Sequence, residues 1–88
     1  MPEIRFVIRN KVGLHARPAV LFVQAAQSYQ SDLRVIKDGK EANAKSYKSV
    51  LGLSVNQNDE VVVHAEGSDA DQALAALAKL VEDNFGER

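Results

Sequence analysis

The stretch Gly13-Leu14-His15-Ala16-Arg17-Pro18-Ala19 decides how this chain folds around its candidate site. A histidine follows a glycine-containing turn, and a proline then opens an apolar, alanine-rich segment. Proline suits the first turn of a helix because the N–H that it lacks would have no partner there. The stretch therefore predicts a loop that leads into a helix, with His15 at the helix N-terminus.

The chemistry of these residues suits a phosphoryl group. Imidazole is a nucleophile that can hold a group covalently. The first backbone N–H groups of a helix lack intrahelical partners and favour an anion. Arg17 adds a permanent positive charge, and its planar donors match phosphate oxygens. We therefore predict that His15 carries a phosphoryl group, which the helix start at Ala16, Arg17 and Pro18 stabilises.

The composition is that of a small globular protein. Its 88 residues suit one domain spanning residues 1–88. The chain has no cysteine, and His15 and His64 lack metal-ligand spacing, so we expect no disulfide, no metal site and no cofactor. No apolar run approaches the roughly 20 residues that cross a bilayer, and residues 1–5 do not resemble a signal peptide. We therefore expect a cytoplasmic protein without membrane insertion.

Charge is distributed unevenly along the chain. Residues 1–17 contain four basic side chains and one acidic, whereas residues 57–88 contain eight acidic and two basic ones. The basic end includes His15 and suits a phosphate or an acidic protein surface. It is too sparse for a nucleic-acid-binding face, which needs clustered basic residues. We therefore expect no nucleic-acid partner.

Alternation of apolar and polar residues predicts four strands, at residues 3–9, 33–35, 40–44 and 60–66. The Asp38-Gly39 pair predicts the hairpin turn that joins the second strand to the third. Each strand has one apolar and one polar face, so one face of the sheet is expected to be exposed to water. This pattern is typical of an antiparallel sheet covered on one side by helices.

Apolar residues spaced three and four apart predict the helices. The first covers residues 16–27, and the last begins after Ser68 and ends at Gly86. Ser46 is the predicted N-cap of a short helix between them. The expected element order is therefore β-α-β-β-α-β-α.

The whole chain resembles the HPr family, the histidine-containing phosphocarriers of the bacterial sugar phosphotransferase system. The resemblance rests on the stretch at residues 13–19, on Asp38-Gly39-Lys40, on Ala44-Lys45-Ser46, and on the closing strand and helix. It implies an α+β fold of the open-faced β-sandwich type. In that fold a four-stranded antiparallel sheet has strand order 1-4-2-3, and three helices cover one face.

The resemblance also implies a function for individual residues. Nδ1 of His15 would take a phosphoryl group from Enzyme I, whose own donor is phosphoenolpyruvate, and would pass it to Enzyme II A domains. Arg17 would stabilise the group during transfer. Ser46 would be a regulatory phosphorylation site for a serine kinase/phosphorylase, with a transcriptional regulator as a further partner. The protein would be a phosphoryl carrier rather than an enzyme.

Apolar residues around His15 exceed what the buried stripes need, and we expect them to form a docking surface for partner proteins. A monomer is expected, because a shuttle must show one face to successive partners. The predicted surface has an apolar centre and a basic rim. The centre comprises Leu14, Tyr47 and Leu51, and the rim comprises Arg17, Lys45 and Lys48.

Several alternatives remain open at this point. Within the family, the chain could serve the nitrogen-related branch or dihydroxyacetone phosphorylation. Outside carrier function, it could be a regulatory binding module whose histidine is idle. A small hydrolase is disfavoured, because the sequence contains no Ser-His-Asp set and no carboxylate pair. Val12 and the Tyr47-Lys48 pair depart from the residues common in the family, which often has a polar residue at the first position and an apolar pair at the second.

Overall fold

The segments that alternate apolar and polar residues form one antiparallel sheet in the computed structural model, which describes residues 2–86. Met1 lies outside the described residues, as do Glu87 and Arg88, which contribute to the charge of residues 57–88. The four strands are β1 (Glu3–Val7), β2 (Asp32–Lys37), β3 (Lys40–Asn43) and β4 (Glu60–Glu66).

The strands lie in the order β1-β4-β2-β3, and every neighbouring pair is antiparallel. The helices are α1 (Ala16–Gln27), α2 (Tyr47–Gly52) and α3 (Ala70–Glu82), and a single 3-10 turn follows at Asn84–Gly86. The predicted fold class and strand order are therefore confirmed.

The core lies between one face of the sheet and the helices. In the register of the strands, Phe6 lies opposite Val61 and Val35 lies opposite Val63, and all four side chains are buried. Phe22, from the apolar stripe of α1, completes this layer and is itself fully buried. Burial of one such side chain contributes about 1.5–3 kcal/mol to folding, so the shared apolar face stabilises the whole arrangement.

The opposite face of the sheet carries polar side chains. Arg34 lies opposite His64 across the β2–β4 pair, and both are half-buried. Nε2 of His64 lies 3.0 Å from Oε1 of Glu3 on the neighbouring strand. His64 therefore lies on the face of the sheet opposite the core.

The first strand ends earlier than predicted. β1 ends at Val7 rather than at residue 9, although the N–H of Ile8 still donates to the carbonyl of Asp59 at 2.9 Å. Asn10 is buried and its side-chain Nδ2 donates to the carbonyl of Gly13 at 2.9 Å. This bond closes the turn that carries the chain away from the sheet, so the strand cannot continue.

The last helix begins after Ser68, as predicted, but its C-terminal end differs from the prediction. α3 begins at Ala70. The carboxylate of Asp69, the residue before it, accepts hydrogen bonds from the backbone N–H groups of Gln30 and Ser31, each at 2.9 Å. The helix ends at Glu82 rather than at Gly86. Phe85 has left-handed backbone, with φ of 56°, and this turn buries its ring against the core.

Candidate functional site

His15 lies at the N-terminus of α1, as predicted. It is the N-cap residue, with extended backbone at φ −130° and ψ 162°, and its side chain makes no capping bond to its own helix. The ring is half-buried. The imidazole is therefore free to face away from the helix and to contact other parts of the chain.

The loop before His15 is attached to the segment that precedes β4. The N–H of Leu14 donates to the carbonyl of Val55 at 3.0 Å, and the N–H of Gly13 donates to the carbonyl of Asn10 at 3.2 Å. These bonds hold the backbone on the N-terminal side of His15. The histidine consequently starts from a fixed backbone rather than from a free loop.

The side chain of Asn56 contacts the histidine ring. Nε2 of His15 lies 3.0 Å from Oδ1 of Asn56. An amide oxygen can only accept a hydrogen bond, so this contact favours the tautomer whose proton is on Nε2. Nδ1 of the neutral ring then holds the lone pair. Asn56 could not be predicted from the sequence, because 41 residues separate it from His15 and it lies in a polar loop without a motif.

Asn56 is itself held by a carboxylate and a lysine. Its backbone N–H donates to Oδ2 of Asp59 at 2.8 Å, and Nζ of Lys37 lies 3.0 Å from the same oxygen. The hydrogen bond from the Asn56 N–H is the main reason that the pKa of the Asp59 carboxyl lies below its ordinary value, and the hydrogen bond from Lys37 is the second. Asp59 is therefore ionised at neutral pH and keeps both contacts.

Ala16 has an uncommon backbone conformation beside the histidine. Its φ is 50°, in the left-handed region, which costs a residue with a Cβ about 1–2 kcal/mol. Such strain persists where the surroundings fix the chain. Leu14 and Pro18 on either side are both buried and supply that constraint.

Arg17 is exposed beside His15. Within residues 2–86, no carboxylate lies close enough to Arg17 to form an ion pair. Its guanidinium is therefore available to an incoming anion. Pro18 is buried and has no N–H, so it fixes the direction of the helix start and donates nothing to an anion.

The predicted docking residues are only partly on the surface. Leu14 is fully buried at 0% exposure, so the prediction that its side chain contacts partners is wrong. It sits in the core because the bond from its N–H to Val55 turns its side chain inward. Tyr47 is 40% exposed, Leu51 is half-buried and Lys48 is exposed.

Lys45 has a structural contact that the sequence did not indicate. Its Nζ donates to the carbonyl of Tyr29 at 2.7 Å, and the residue is half-buried. The Lys45 ammonium therefore binds a carbonyl beyond the end of α1. It is less available to a partner protein at the rim of the predicted docking surface than the ammonium of Lys48. Val12 and Val20 are further exposed apolar residues.

Ser46 is the N-cap of α2, as predicted. Its Oγ accepts the backbone N–H of Ser49 at 3.3 Å, and the residue is half-buried. α2 in turn packs against α1, which carries Arg17 and Val20. A change of charge at Ser46 would therefore act close to the same surface as His15.

The described residues show neither a metal site nor a membrane segment. No group of three or more His, Asp or Glu side chains within residues 2–86 could hold a metal ion. None of the helices in that range is long and apolar enough to cross a bilayer.

The sequence is similar to those of known HPr proteins. A family model described as "PTS HPr component phosphorylation site" matches residues 2–83. The HPr-like protein Crh of Bacillus subtilis (strain 168) is 43% identical over 83 residues, which cover 94% of this chain and 98% of Crh. The phosphocarrier protein HPr of Mycoplasma capricolum is 35% identical over 83 residues, which cover 94% of this chain and 93% of that protein.

Solved structures agree with the sequence comparison. The crystal structure of HPr-C-His from Thermoanaerobacter tengcongensis has a TM-score of 0.99 and 48% identity, covering 100% of this chain and 99% of that one. A crystal structure of an HPr dimer from the same organism has a TM-score of 0.81 and 48% identity, covering 99% of this chain and 100% of that one. Dimers thus occur among the solved relatives, and the monomer expected from the sequence stays a prediction.

Proposed function

Since this chain belongs to the HPr family of the phosphotransferase system, we propose that it accepts a phosphoryl group on Nδ1 of His15. The donor is Enzyme I, charged by phosphoenolpyruvate, and the acceptors are Enzyme II A domains that serve sugar uptake. The bond between His15 and Asn56 carries the proposal, because it leaves the lone pair on Nδ1 at the N-terminus of a helix.

The transfer step uses the groups at the site in a balanced way. The Nδ1 lone pair forms a bond to phosphorus while the bond between phosphorus and the Enzyme I donor atom breaks, and that atom keeps the electron pair. Nε2 keeps its proton, which is hydrogen-bonded to Oδ1 of Asn56, so the phosphorylated ring carries positive charge. That charge weakens the N–P bond and keeps the group transferable to the next acceptor.

The surroundings stabilise the phosphoryl oxygens only in part, which suits a carrier. The N-terminus of α1 offers backbone N–H groups and a favourable dipole. Arg17 is exposed and forms no ion pair with any carboxylate of residues 2–86. Partner proteins complete the site, so the chain acts as a carrier rather than as an enzyme that turns over alone.

A second candidate function is regulatory binding without transfer. The 43% identity to Crh favours this candidate, because a solution structure describes Crh as the catabolite repression HPr of Bacillus subtilis. The arrangement of His15, Arg17 and Asn56 favours the carrier, because a binding module has no need for a nucleophilic nitrogen beside a free arginine.

One assay separates the two candidates. The protein is incubated with Enzyme I of the sugar system, magnesium and phosphoenolpyruvate, and intact mass is measured before and after acid treatment. A carrier gains one acid-labile phosphate. His15→Ala loses this gain, whereas His64→Ala, the matched change on the opposite face of the sheet, keeps it.

The outcomes have distinct meanings. Uptake that persists in His15→Ala refutes His15 as the acceptor. No uptake by the wild-type chain refutes the sugar-branch carrier, and uptake from a nitrogen-branch Enzyme I would then assign the chain to that branch. Adding an Enzyme II A domain to the phosphorylated protein should remove the phosphate, which tests the second half of the relay.

A further inference from the structure

We propose that Asn56 is a positioning residue that fixes both the tautomer and the orientation of the His15 ring, and that Lys37 and Asp59 hold Asn56 in place. The importance of this arrangement for transfer rests on the proposed function. The tautomer itself is a property of the unphosphorylated chain and can be measured without any partner.

The contact between Asn56 and the His15 ring has a preferred direction. Oδ1 of Asn56 lies 3.0 Å from Nε2 of His15, and because an amide oxygen can only accept, the contact favours a proton on Nε2. In a neutral histidine, the hydrogen bond made by one ring nitrogen determines the protonation of the other nitrogen. With the proton on Nε2, Nδ1 carries the lone pair. The ring has no capping bond to its own helix that could replace this contact.

Both ends of this contact are attached to the same segment, residues 55–59. On the histidine side, the N–H of Leu14 donates to the carbonyl of Val55 at 3.0 Å. On the asparagine side, the N–H of Asn56 donates to Oδ2 of Asp59 at 2.8 Å, and the N–H of Asp59 donates back to the carbonyl of Asn56 at 3.0 Å. The two backbones therefore keep their spacing while the side chains meet.

Lys37 binds Asp59 from the side of the sheet. The Lys37 side chain is only 16% exposed, and its Nζ lies 3.0 Å from Oδ2 of Asp59. The same ammonium donates to the carbonyl of Ser54 at 2.8 Å, and it lies 3.5 Å from that of Leu53, the residue at the C-terminal end of α2. One lysine on β2 thus connects the end of α2 with the loop at residues 56–59, whose Asn56 contacts His15.

The pattern of contacts favours a positioning role over a merely structural one. Asn56 is exposed and contributes no apolar burial to the core. Gln57 beside it is also exposed, but its Nε2 donates to the carbonyl of Arg9 at 3.1 Å and its side chain has no hydrogen bond to His15. These neighbouring amides therefore form a matched pair, of which only one contacts the candidate nucleophile.

The test reads the tautomer directly. Protein labelled with 15N-histidine is studied by two-bond 1H–15N correlation spectra at about pH 8.5, where free imidazole is neutral. The His64 signals are identified from His64→Ala. The wild-type chain, Asn56→Ala, Asn56→Asp, Asp59→Asn and the control Gln57→Ala are compared, and circular dichroism checks that each is folded.

We expect the wild-type His15 ring to show the pattern of the Nε2–H tautomer alone. Asn56→Ala should give a mixture of the two tautomers, and Asn56→Asp should restore the wild-type pattern because it keeps an acceptor oxygen. Asp59→Asn should give an intermediate pattern, whereas Gln57→Ala should match wild type. The rate of phosphorylation by Enzyme I should fall about 2- to 10-fold in Asn56→Ala, the effect of one hydrogen bond.

An Asn56→Ala spectrum identical to that of wild type would overturn the proposal. So would equal changes in Asn56→Ala and Gln57→Ala, because these would indicate a general effect of the loop. If the tautomer responds as expected but the wild-type chain takes no phosphate from any Enzyme I, the positioning role of Asn56 stands and the proposed carrier function fails.

Discussion

Gly13 and Asn56 approach so closely that no side chain fits between them. A Cβ on Gly13 would lie 2.8 Å from the Cα of Asn56, and it would also contact the carbonyl oxygen of Val55. The φ of Gly13 is +73°, a conformation that residues with a Cβ rarely adopt. This approach brings the backbone before His15 close to Asn56, whose Oδ1 lies at hydrogen-bond distance from Nε2 of His15.

Gly13→Ala should therefore damage the site, and Gly39→Ala is the matched control. Gly39 has a similar φ of +80°, but nothing lies within 4 Å of the position that a Cβ would take there. Gly39→Ala should cost only the left-handed conformation, about 1–2 kcal/mol of unfolding free energy. Gly13→Ala should cost more, because Val55 and Asn56 must also move. Urea unfolding measures both, and equal losses would contradict the close-approach argument.

The main elements could be predicted because their residues repeat at the period of the structure. The apolar residues of β4 alternate over residues 60–66, and the observed strand has the same limits. The stripe of α1 that includes Phe22 and Val23 is buried as expected, and the predicted start of the helix beside His15 is confirmed. Where a segment's own pattern decides its conformation, sequence is sufficient.

The long-range contacts of the site could not be predicted in the same way. Asn56 and Lys37 have no local signal, since their roles depend on a loop and a strand that meet only in the folded chain. The prediction that the Leu14 side chain contacts partners is wrong, because Leu14 is fully buried and its N–H donates to the carbonyl of Val55 in a segment far away in sequence. Periodicity gives no information about a single residue in an irregular loop.

Arg17 should accelerate transfer in both directions. A hydrogen bond from a charged donor to phosphate is worth about 1–3 kcal/mol, so Arg17→Ala should slow transfer about 5- to 150-fold. Arg17→Lys should recover part of the rate, because an ammonium lacks the planar pair of donors. Arg5→Ala is the control, since Arg5 is an exposed arginine that pairs with Glu60 on the sheet. Stopped-flow or quench-flow transfer from Enzyme I gives the rates, and a wild-type rate for Arg17→Ala would rule out a direct role.

The docking surface should be apolar at its centre, around Val20 and Tyr47. These side chains are 38% and 40% exposed, and they lie on the adjacent helices α1 and α2. Replacing either by serine should raise the Kd for Enzyme I about 3- to 10-fold, whereas Ala75→Ser on the exposed side of α3 should leave it unchanged. Calorimetry or fluorescence titration measures the Kd of each variant.

The same association should weaken as salt rises. Lys48 and Arg17 are exposed beside the apolar centre and would steer an acidic partner. The salt dependence should be smaller in Lys48→Ala than in wild type. Association that is independent of salt would contradict the basic rim.

Asp69 should stabilise the fold in a pH-dependent manner. The hydrogen bond from the Ser31 hydroxyl is the main reason that the pKa of the Asp69 carboxyl lies below its ordinary value of 3.8, and the hydrogen bond from the Gln30 N–H is the second. Because the pKa is lower in the folded state, the stabilisation is present above pH 3.8 and is lost as pH falls through the lowered pKa. Asp69→Asn should therefore be less stable than wild type at pH 7, and the difference should shrink towards pH 3.

The matched control for this prediction is Asp71→Asn. Asp71 is an exposed acid in the first turn of α3 without a side-chain hydrogen bond to the α1–β2 connection. Its replacement should change the free energy of unfolding less than that of Asp69 at neutral pH. Urea titrations across the pH range decide the matter, and parallel curves for wild type and Asp69→Asn would contradict the proposed role of the ionised carboxylate.

Ser46 should act first as a helix cap, and a negative charge there should inhibit transfer without unfolding the protein. Its Oγ accepts a hydrogen bond from the N–H of Ser49, so Ser46→Ala should cost about 1 kcal/mol of unfolding free energy.

Ser46→Asp keeps an acceptor oxygen at the cap and should be as stable as wild type. Its charge lies at the start of α2, which carries Tyr47 and packs against α1, so it should repel acidic groups of Enzyme I and slow phosphorylation of His15. Ser68→Asp, an exposed serine before α3, controls for added charge and should leave the rate unchanged. If Ser46→Asp accepts phosphate as fast as wild type, Ser46 is a cap alone and no inhibitory switch exists at this position.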